Sequence, residues 1–313
     1  VAVARATTPR FARRVHGVAR AGFAADPALY ARVRPGYPPE AVAFALDGVD
    51  PGRATTLEIA SGTGILTKLL ASARACAQKG SRRRRFDSFA AEAASRLRRA
   101  SAQVDAGCKW LVAAEPVAEM REQFAQDVPN VRCIDATANA LPFEDASFDA
   151  VLVGQAFHWF ADEASLVEIG RVLRPGGRLA LLWNLEDDGV PWVRDVRAAY
   201  EAHDTGPRGD VPQYRKGKWV DAFDAPLCRA AFPDGVDRSF FDHAMPTTRP
   251  EIWERALSKS YVATLSEAER GQLVGEIEAI VARHEAAGGL AFDEAGLAAL
   301  PVRSEVAVAV RGD

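Results

Sequence analysis

Residues 55–72 read TTLEIASGTGILTKLLAS. Thr55 to Ile59 form a short β-branched and apolar run of strand type. Ser61-Gly62-Thr63-Gly64 follow as a tight turn, and Ile65, Leu66, Leu69 and Leu70 then fall at helical spacing. The stretch predicts strand, glycine turn, helix. Glycines there let a ligand approach the backbone, and the helix start offers free N–H groups. A dinucleotide fingerprint, G-x-G-x-x-G, counted from Gly62 and Gly64 needs its third glycine at 67, where Thr67 stands. A branched side chain obstructs the close helix–sheet packing of that motif, which disfavours a nicotinamide or flavin enzyme.

The neighbouring segments repeat the pattern. Lys109 to Ala114 (KWLVAA) predicts a second buried strand with Glu115 at its end. Residues 131–134 predict a third, ending at Asp135 and Ala136, and Phe148 to Gly154 a fourth, apolar enough to be central. Helical periodicity over 162–173 stops at Pro175-Gly176-Gly177, and RLALLWN, ending in Trp183 and Asn184, predicts a fifth strand. Strands that alternate with helices imply an α/β protein with a parallel sheet covered on both faces. Further on, 238–247 predicts strand six, 250–262 and 265–286 predict helices, and PVRSEVAVAVR at 301–311 predicts a last strand with Val306, Val308 and Val310 on one side.

An acidic residue placed like Glu115 commonly accepts hydrogen bonds from a ribose diol about 20 residues after the glycine turn. Here the separation from Gly64 is 51 residues, but removal of 73–105 reduces it to 18. That segment holds nine basic residues against three acidic ones, a net +6 in a chain whose total is −3. The remainder is therefore acidic, at −9, and 73–105 reads as a basic insertion after the first helix of an ordinary βαβ unit. A nucleic-acid contact through Arg82 to Arg85 has no second basic cluster or interleaved aromatic set to support it.

Of 313 residues, 48% are hydrophobic and 26% charged, an ordinary globular balance that excludes a disordered or fibrous chain. No apolar run reaches the ~18 residues of a membrane span. Cys76, Cys108, Cys133 and Cys228 form no CxxC pair, so neither a disulfide framework nor a structural zinc site is expected. Metal ligands are not expected elsewhere, and a cytoplasmic setting is the default. Residues 1–25 carry five arginines and no acid. This gives a leader, taken as 1–21, that is either disordered or resembles an organelle-targeting segment.

In order, LEIASGTG, AAEPVAEM, IDATANALPF, SFDAVLVGQAFHWF and RVLRPGGRLALLWN resemble the motif series of class I S-adenosylmethionine-dependent methyltransferases. YARVRPGYPPEAV at 30–42 resembles the N-terminal segment of a branch with ubiquinone-biosynthesis-type and trans-aconitate-type members. The resemblance covers roughly 22–311 without the insertion. It implies a Rossmann-like, doubly wound seven-stranded sheet, mostly parallel with an antiparallel last strand. A helical cap over the active face is expected at 186–237, a proline-rich stretch without strand alternation.

The same resemblance implies S-adenosyl-L-methionine as cofactor. Glu58 would position its methionine end through the loop, Ser61, Gly62 and Gly64 would pass close to it, and Glu115 would hold the ribose. Asp135 and Ala136 would meet the adenine, and Gln155 would face the cofactor at the end of strand four. Ala60 stands where the family often has a glycine, and a positive φ there costs about 1 kcal/mol. His158 is the histidine placed to act as a base, should the acceptor carry a proton to lose. Tyr30, Tyr37, Trp159, Phe160 and the strand-five tryptophan could form an aromatic wall, and Arg34 could bind an acidic acceptor.

The leading expectation is a methyltransferase acting on a small-molecule acceptor by direct in-line transfer. A non-catalytic binding protein on the same fold is the alternative, and an NAD(P)-dependent oxidoreductase the third reading. The sequence names neither the acceptor nor the oligomeric state.

Overall fold

The computed structural model describes residues 15–50, 53–78, 110–204 and 212–313, the side chains of 73–78 aside. Three short helices lead in: α1 (Gly17–Ala25), α2 (Pro27–Val33) and α3 (Pro39–Ala45). Then come β1 (Thr56–Ile59), α4 (Ile65–Gln78), β2 (Leu111–Ala114), α5 (Ala118–Asp127), β3 (Arg132–Ile134) and β4 (Phe148–Gly154). The second half runs α6 (Glu163–Val172), β5 (Leu173–Glu186), α7 (Pro191–Glu201), α8 (Pro226–Ala231) and β6 (Asp237–Thr248). It ends with α9 (Arg249–Leu257), α10 (Glu267–Ala286) and β7 (Leu297–Val310).

The seven strands form one sheet in the order β3-β2-β1-β4-β5-β7-β6. β1, β2, β3, β4 and β5 pair in parallel, and β7 lies antiparallel between β5 and β6. This is the expected architecture, with the last strand as the reversed one. The alternation of side chains along each strand divides the core between the two faces. Val151, Val153, Leu179, Leu181 and Trp183 pack on one face with Leu166 and Ile169 of α6. Ala150, Leu152, Ala180 and Leu182 pack on the other with α3, α4 and α5 through Val42, Leu66, Leu70 and Phe124. Strands buried on both faces are why β1 and β4 read as near-continuous apolar runs. Val306 and Val308 share the second face as expected, whereas Val310 is exposed.

Four expectations need correction. β5 begins at Leu173, directly at the end of α6, instead of after Pro175-Gly176-Gly177. The glycines form a bulge: pairing with β4 jumps from Phe148↔Leu173 to Ala150↔Arg178. Gly176 sits at φ 72°, and a Cβ on Gly177 would lie 2.6 Å from the Arg174 carbonyl oxygen, so the bulge requires both. Next, the boundary at 21/22 cuts through α1, which is helical from Gly17; residues 1–14 lie outside the described residues. The helix expected over 250–262 stops at Leu257, and Ser258 to Leu265 form turns. Finally, 186–237 does not pack as one unit. α7 packs with α9, α10 and the 261–265 turn around Trp192, Tyr200, Ile252 and Ile277, while α8 and Phe232 belong to the sheet core. Apart from the end of α4, the segment 73–105 lies outside the described residues.

Candidate active site

In this strand order β1 is flanked by β2 on one side and β4 on the other, so the chain reverses its winding between β1 and β4. Loops diverge at such a point and leave a crevice at the strands' C-terminal ends. The chain leaves both strands through left-handed residues, Ala60 at φ 53° and Gln155 at φ 60°. Backbone bonds to neighbouring strands enforce both turns: Ser61 N–H donates to Ala114 O at 3.2 Å, and Gln155 N–H to Leu182 O at 2.7 Å. Non-glycine residues held there are strained, and strain of this kind clusters at ligand sites.

Ala60 and Gln155 both line a cleft enclosing about 750 Å³, open to solvent. Its floor is Ile59, Gly62, Glu115, Val117, Met120, Ala136 and Ala138. Its roof is α1, with Ala19 and Phe23, and its far wall is Tyr30, Trp159 and Phe160. The Phe23 and Trp159 rings meet edge to face at 5.9 Å, and Phe23 meets Tyr30 likewise at 5.8 Å.

Two buried carboxyls serve this cleft differently. Glu115 lies in its wall and accepts Gly62 N–H at 2.9 Å and Val117 N–H at 2.8 Å. It thereby ties the glycine turn to the end of β2. Burial pushes its pKa up to about 7 despite those two donors. Glu58 lies beneath the cleft. Burial pushes it up to about 8, and the Thr67 hydroxyl donates to it at 2.5 Å. Thr67, which breaks the dinucleotide fingerprint, is therefore the partner of the first-motif acid.

A second cavity, about 680 Å³ and also open to solvent, adjoins the first. Arg34, His158, Glu186, Tyr200, Tyr214, Arg215, Lys259 and Tyr261 line it, and it shares Phe23, Tyr30, Gln155 and Trp159 with the cleft. His158 Nδ1 accepts the Trp183 indole N–H at 3.2 Å. A neutral imidazole that accepts at Nδ1 carries its proton on Nε2. Burial pulls the His158 pKa down to about 3, so the ring stays neutral near pH 7.

The Methyltransferase domain family model matches residues 97–181. An uncharacterized methyltransferase of Schizosaccharomyces pombe is 33% identical over 186 residues, covering 59% of this chain and 61% of that protein. A second methyltransferase-like protein of the same yeast is 35% identical over 176 residues, covering 55% and 64%. An uncharacterized methyltransferase of Mycobacterium tuberculosis is 34% identical over 175 residues, 56% of each chain. The solved YcgJ protein of Bacillus subtilis overlays with a TM-score of 0.45 at 15% identity, covering 88% of this chain and 99% of that one. Over part of its length the chain is thus similar to methyltransferases. It spans about three-fifths of the length of the curated relatives it matches.

The motif resemblance implies S-adenosylmethionine as methyl donor, and the lining of the cleft offers groups that would hold it. Thr137 Oγ1 and His16 Nδ1 are buried in its walls without a hydrogen-bond partner. Buried polar atoms left so are costly, and a ligand with a polar edge satisfies them. The Glu115 carboxylate supplies an acceptor for a diol, and the apolar floor suits a flat heterocycle.

Of the residues expected from the methyltransferase motifs, Ala60, Gly62, Glu115, Ala136, Gln155, Tyr30 and Trp159 come together on the cleft. Glu58, Ser61, Gly64 and Asp135 are not part of its wall. Gly64 serves packing: a Cβ there would lie 2.6 Å from Val128 Cγ2 of the α5–β3 connection. Asp135 is half exposed and pairs with Arg121 at 3.4 Å. Tyr37 lies behind β4, where a Cβ on Gly154 would meet its hydroxyl at 2.8 Å. Trp183 is buried and acts on the site through His158, while Asn184 lines the second cavity. Trp183 occupies the Nδ1 lone pair of His158, so in this arrangement the ring presents Nε2–H as a donor.

Sequence reasoning missed Phe23 and His16, which fell in or beside the supposed leader. It also missed Lys259 and Tyr261, which fell in a supposed helix. No local signal marks either pair; they reach the site through packing of α1 and of the turn after α9.

Proposed function

We propose that this chain transfers a methyl group from S-adenosylmethionine to a small-molecule acceptor by direct in-line displacement. One observation carries the reading: the cleft and the second cavity meet at a common wall of Phe23, Tyr30, Gln155 and Trp159. A group held in one is thus presented to whatever occupies the other. The bound sulfonium supplies an already activated methyl group. The chain then has to align two partners and keep water out. Tyr30 and Trp159 line the cleft at the shared wall, and aromatic rings there would suit cation–π attraction to a sulfonium. His158 donates from Nε2–H into the second cavity and orients an acceptor lone pair without taking its proton.

A small molecule is favoured by the lining of the second cavity, in which aromatic rings alternate with a few charged groups. Among the described residues no helix is long and apolar enough to cross a membrane, and no His, Cys, Asp and Glu cluster could hold a metal.

Calorimetric titration with S-adenosylmethionine and with NADH, followed by turnover of labelled donor against a metabolite extract, tests the proposal. Binding of the first alone with label transfer supports it. Binding without transfer to any acceptor favours a non-catalytic binding protein, and NADH binding alone removes the methyltransferase reading. Replacing Glu115 with Ala is expected to weaken S-adenosylmethionine by about 1–3 kcal/mol in a folded variant. Unchanged affinity there removes the ribose assignment.

A further inference from the structure

The second cavity has an imbalance of charge that its own walls do not resolve. Three cations line it, Arg34, Arg215 and Lys259, against two anions, Glu186 and Glu201. Both anions are engaged: Glu186 accepts Lys259 Nζ at 2.7 Å and lies 3.8 Å from Arg215, and Glu201 pairs with Arg215. Arg34 stands apart. Its Nη2 donates to the Ser258 carbonyl at 2.9 Å, and its guanidinium lies 4.9 Å from the centre of the Tyr30 ring. Its Nε is buried without a partner, and among the described residues no carboxylate lies within ion-pair distance of it.

The local sequence explains the arrangement. Arg32, two residues earlier, forks onto Glu254 of α9 at 2.5 and 2.9 Å, which pins the outer side of α2. Arg34, at the end of that helix, is carried inward to the cavity. A guanidinium without a carboxylate partner matches a planar oxyanion better than any neutral group.

From this geometry, and resting on the methyltransferase reading above, we infer that the second cavity takes an acceptor bearing one carboxylate, gripped by Arg34. The carboxylate lies at the Arg34–Lys259 end, and the methyl-accepting end faces the shared wall at Gln155 and Trp159. One carboxylate supplies the ion-pair partner that Arg34 lacks among the described residues. Tyr200, Tyr214 and Tyr261 flank an apolar body between the two ends. Burial draws the Lys259 pKa down to about 7; the nearby Arg34 and Arg215 charges add to this, and Glu186 opposes it.

Benzoate, benzamide and phenyl phosphate differ in the one group that matters here. Each is titrated calorimetrically into the chain with and without saturating S-adenosylhomocysteine. Benzoate should bind about tenfold or more tighter than benzamide, and tighter than phenyl phosphate. The Arg34→Gln variant should erase the gap between benzoate and benzamide, and Arg34→Lys should restore part of it. Equal binding of benzoate and benzamide, absence of benzoate binding, or a preference that survives in Arg34→Gln would overturn the inference. A phenyl phosphate preference overturns the carboxylate assignment. Failure of S-adenosylhomocysteine to bind counts against the methyltransferase reading alone, because the anion preference is read in its absence as well.

Discussion

Replacement of Ala60 by glycine should stabilise the protein, against the usual direction for that change. Ala60 is held at φ 53° by Ser61 N–H bonding to Ala114 O, and nothing in β1 or β2 can relax without breaking that pairing. A non-glycine residue in this region costs about 1–2 kcal/mol. Glycine removes the cost but returns roughly 0.4–1 kcal/mol through the greater freedom of the unfolded chain. The net expectation is a gain of about 0.5–1 kcal/mol. For a chain of this size that corresponds to a rise in melting temperature of about 1–3 °C. Urea denaturation measures the free energy directly. Ala279→Gly supplies the control, because Ala279 is exposed mid-way along α10 and the same change there should lose about 1 kcal/mol. If both variants lose stability equally, the strain at Ala60 is not real and the argument for a stressed cofactor loop fails with it.

Further outcomes follow from the same contacts. Glu58 has its folded pKa raised to about 8 by burial, so the folded state holds its proton from about pH 5 to 8 while the unfolded chain releases it. The stability of the parent protein relative to Glu58→Gln should therefore fall as pH rises through that window and level off above it; a pH-independent difference by denaturant titration would refute the burial argument. His158→Ala should reduce turnover by less than about a hundredfold and leave the limbs of the pH–rate profile in place, whereas loss of a limb near neutrality would restore a base role. Gly22 packs α1 onto the 258–261 turn so closely that a Cβ would lie 2.3 Å from Ser260 O. Gly22→Ala should cost about 1–3 kcal/mol and weaken S-adenosylmethionine several-fold by displacing the roof of the cleft, and unchanged affinity would show that α1 plays no part in binding.

The strands, their order along the chain and the carboxyls at their ends were legible in the amino-acid sequence. Short apolar runs such as TLEI and FDAVLVG are dictated by burial on both faces of a parallel sheet, and that requirement acts residue by residue. The glycine turn and Glu115 were legible for the same reason, since backbone conformation and the sheet's crevice are local consequences of one βαβ unit. Tertiary structure alone decided what completes the site. α1 became the roof because Gly22 allows it to rest on Ser260, 238 residues away in sequence. Which nitrogen of His158 is open was decided by Trp183, on the next strand, whose indole N–H bonds to Nδ1. Arg32 and Arg34 look alike in ARVRP, yet the first pairs with Glu254 and the second has no carboxylate within ion-pair distance among the described residues. Which charge is neutralised and which is left for a ligand depends on partners brought from α9, and no local pattern encodes a partner more than two hundred residues distant.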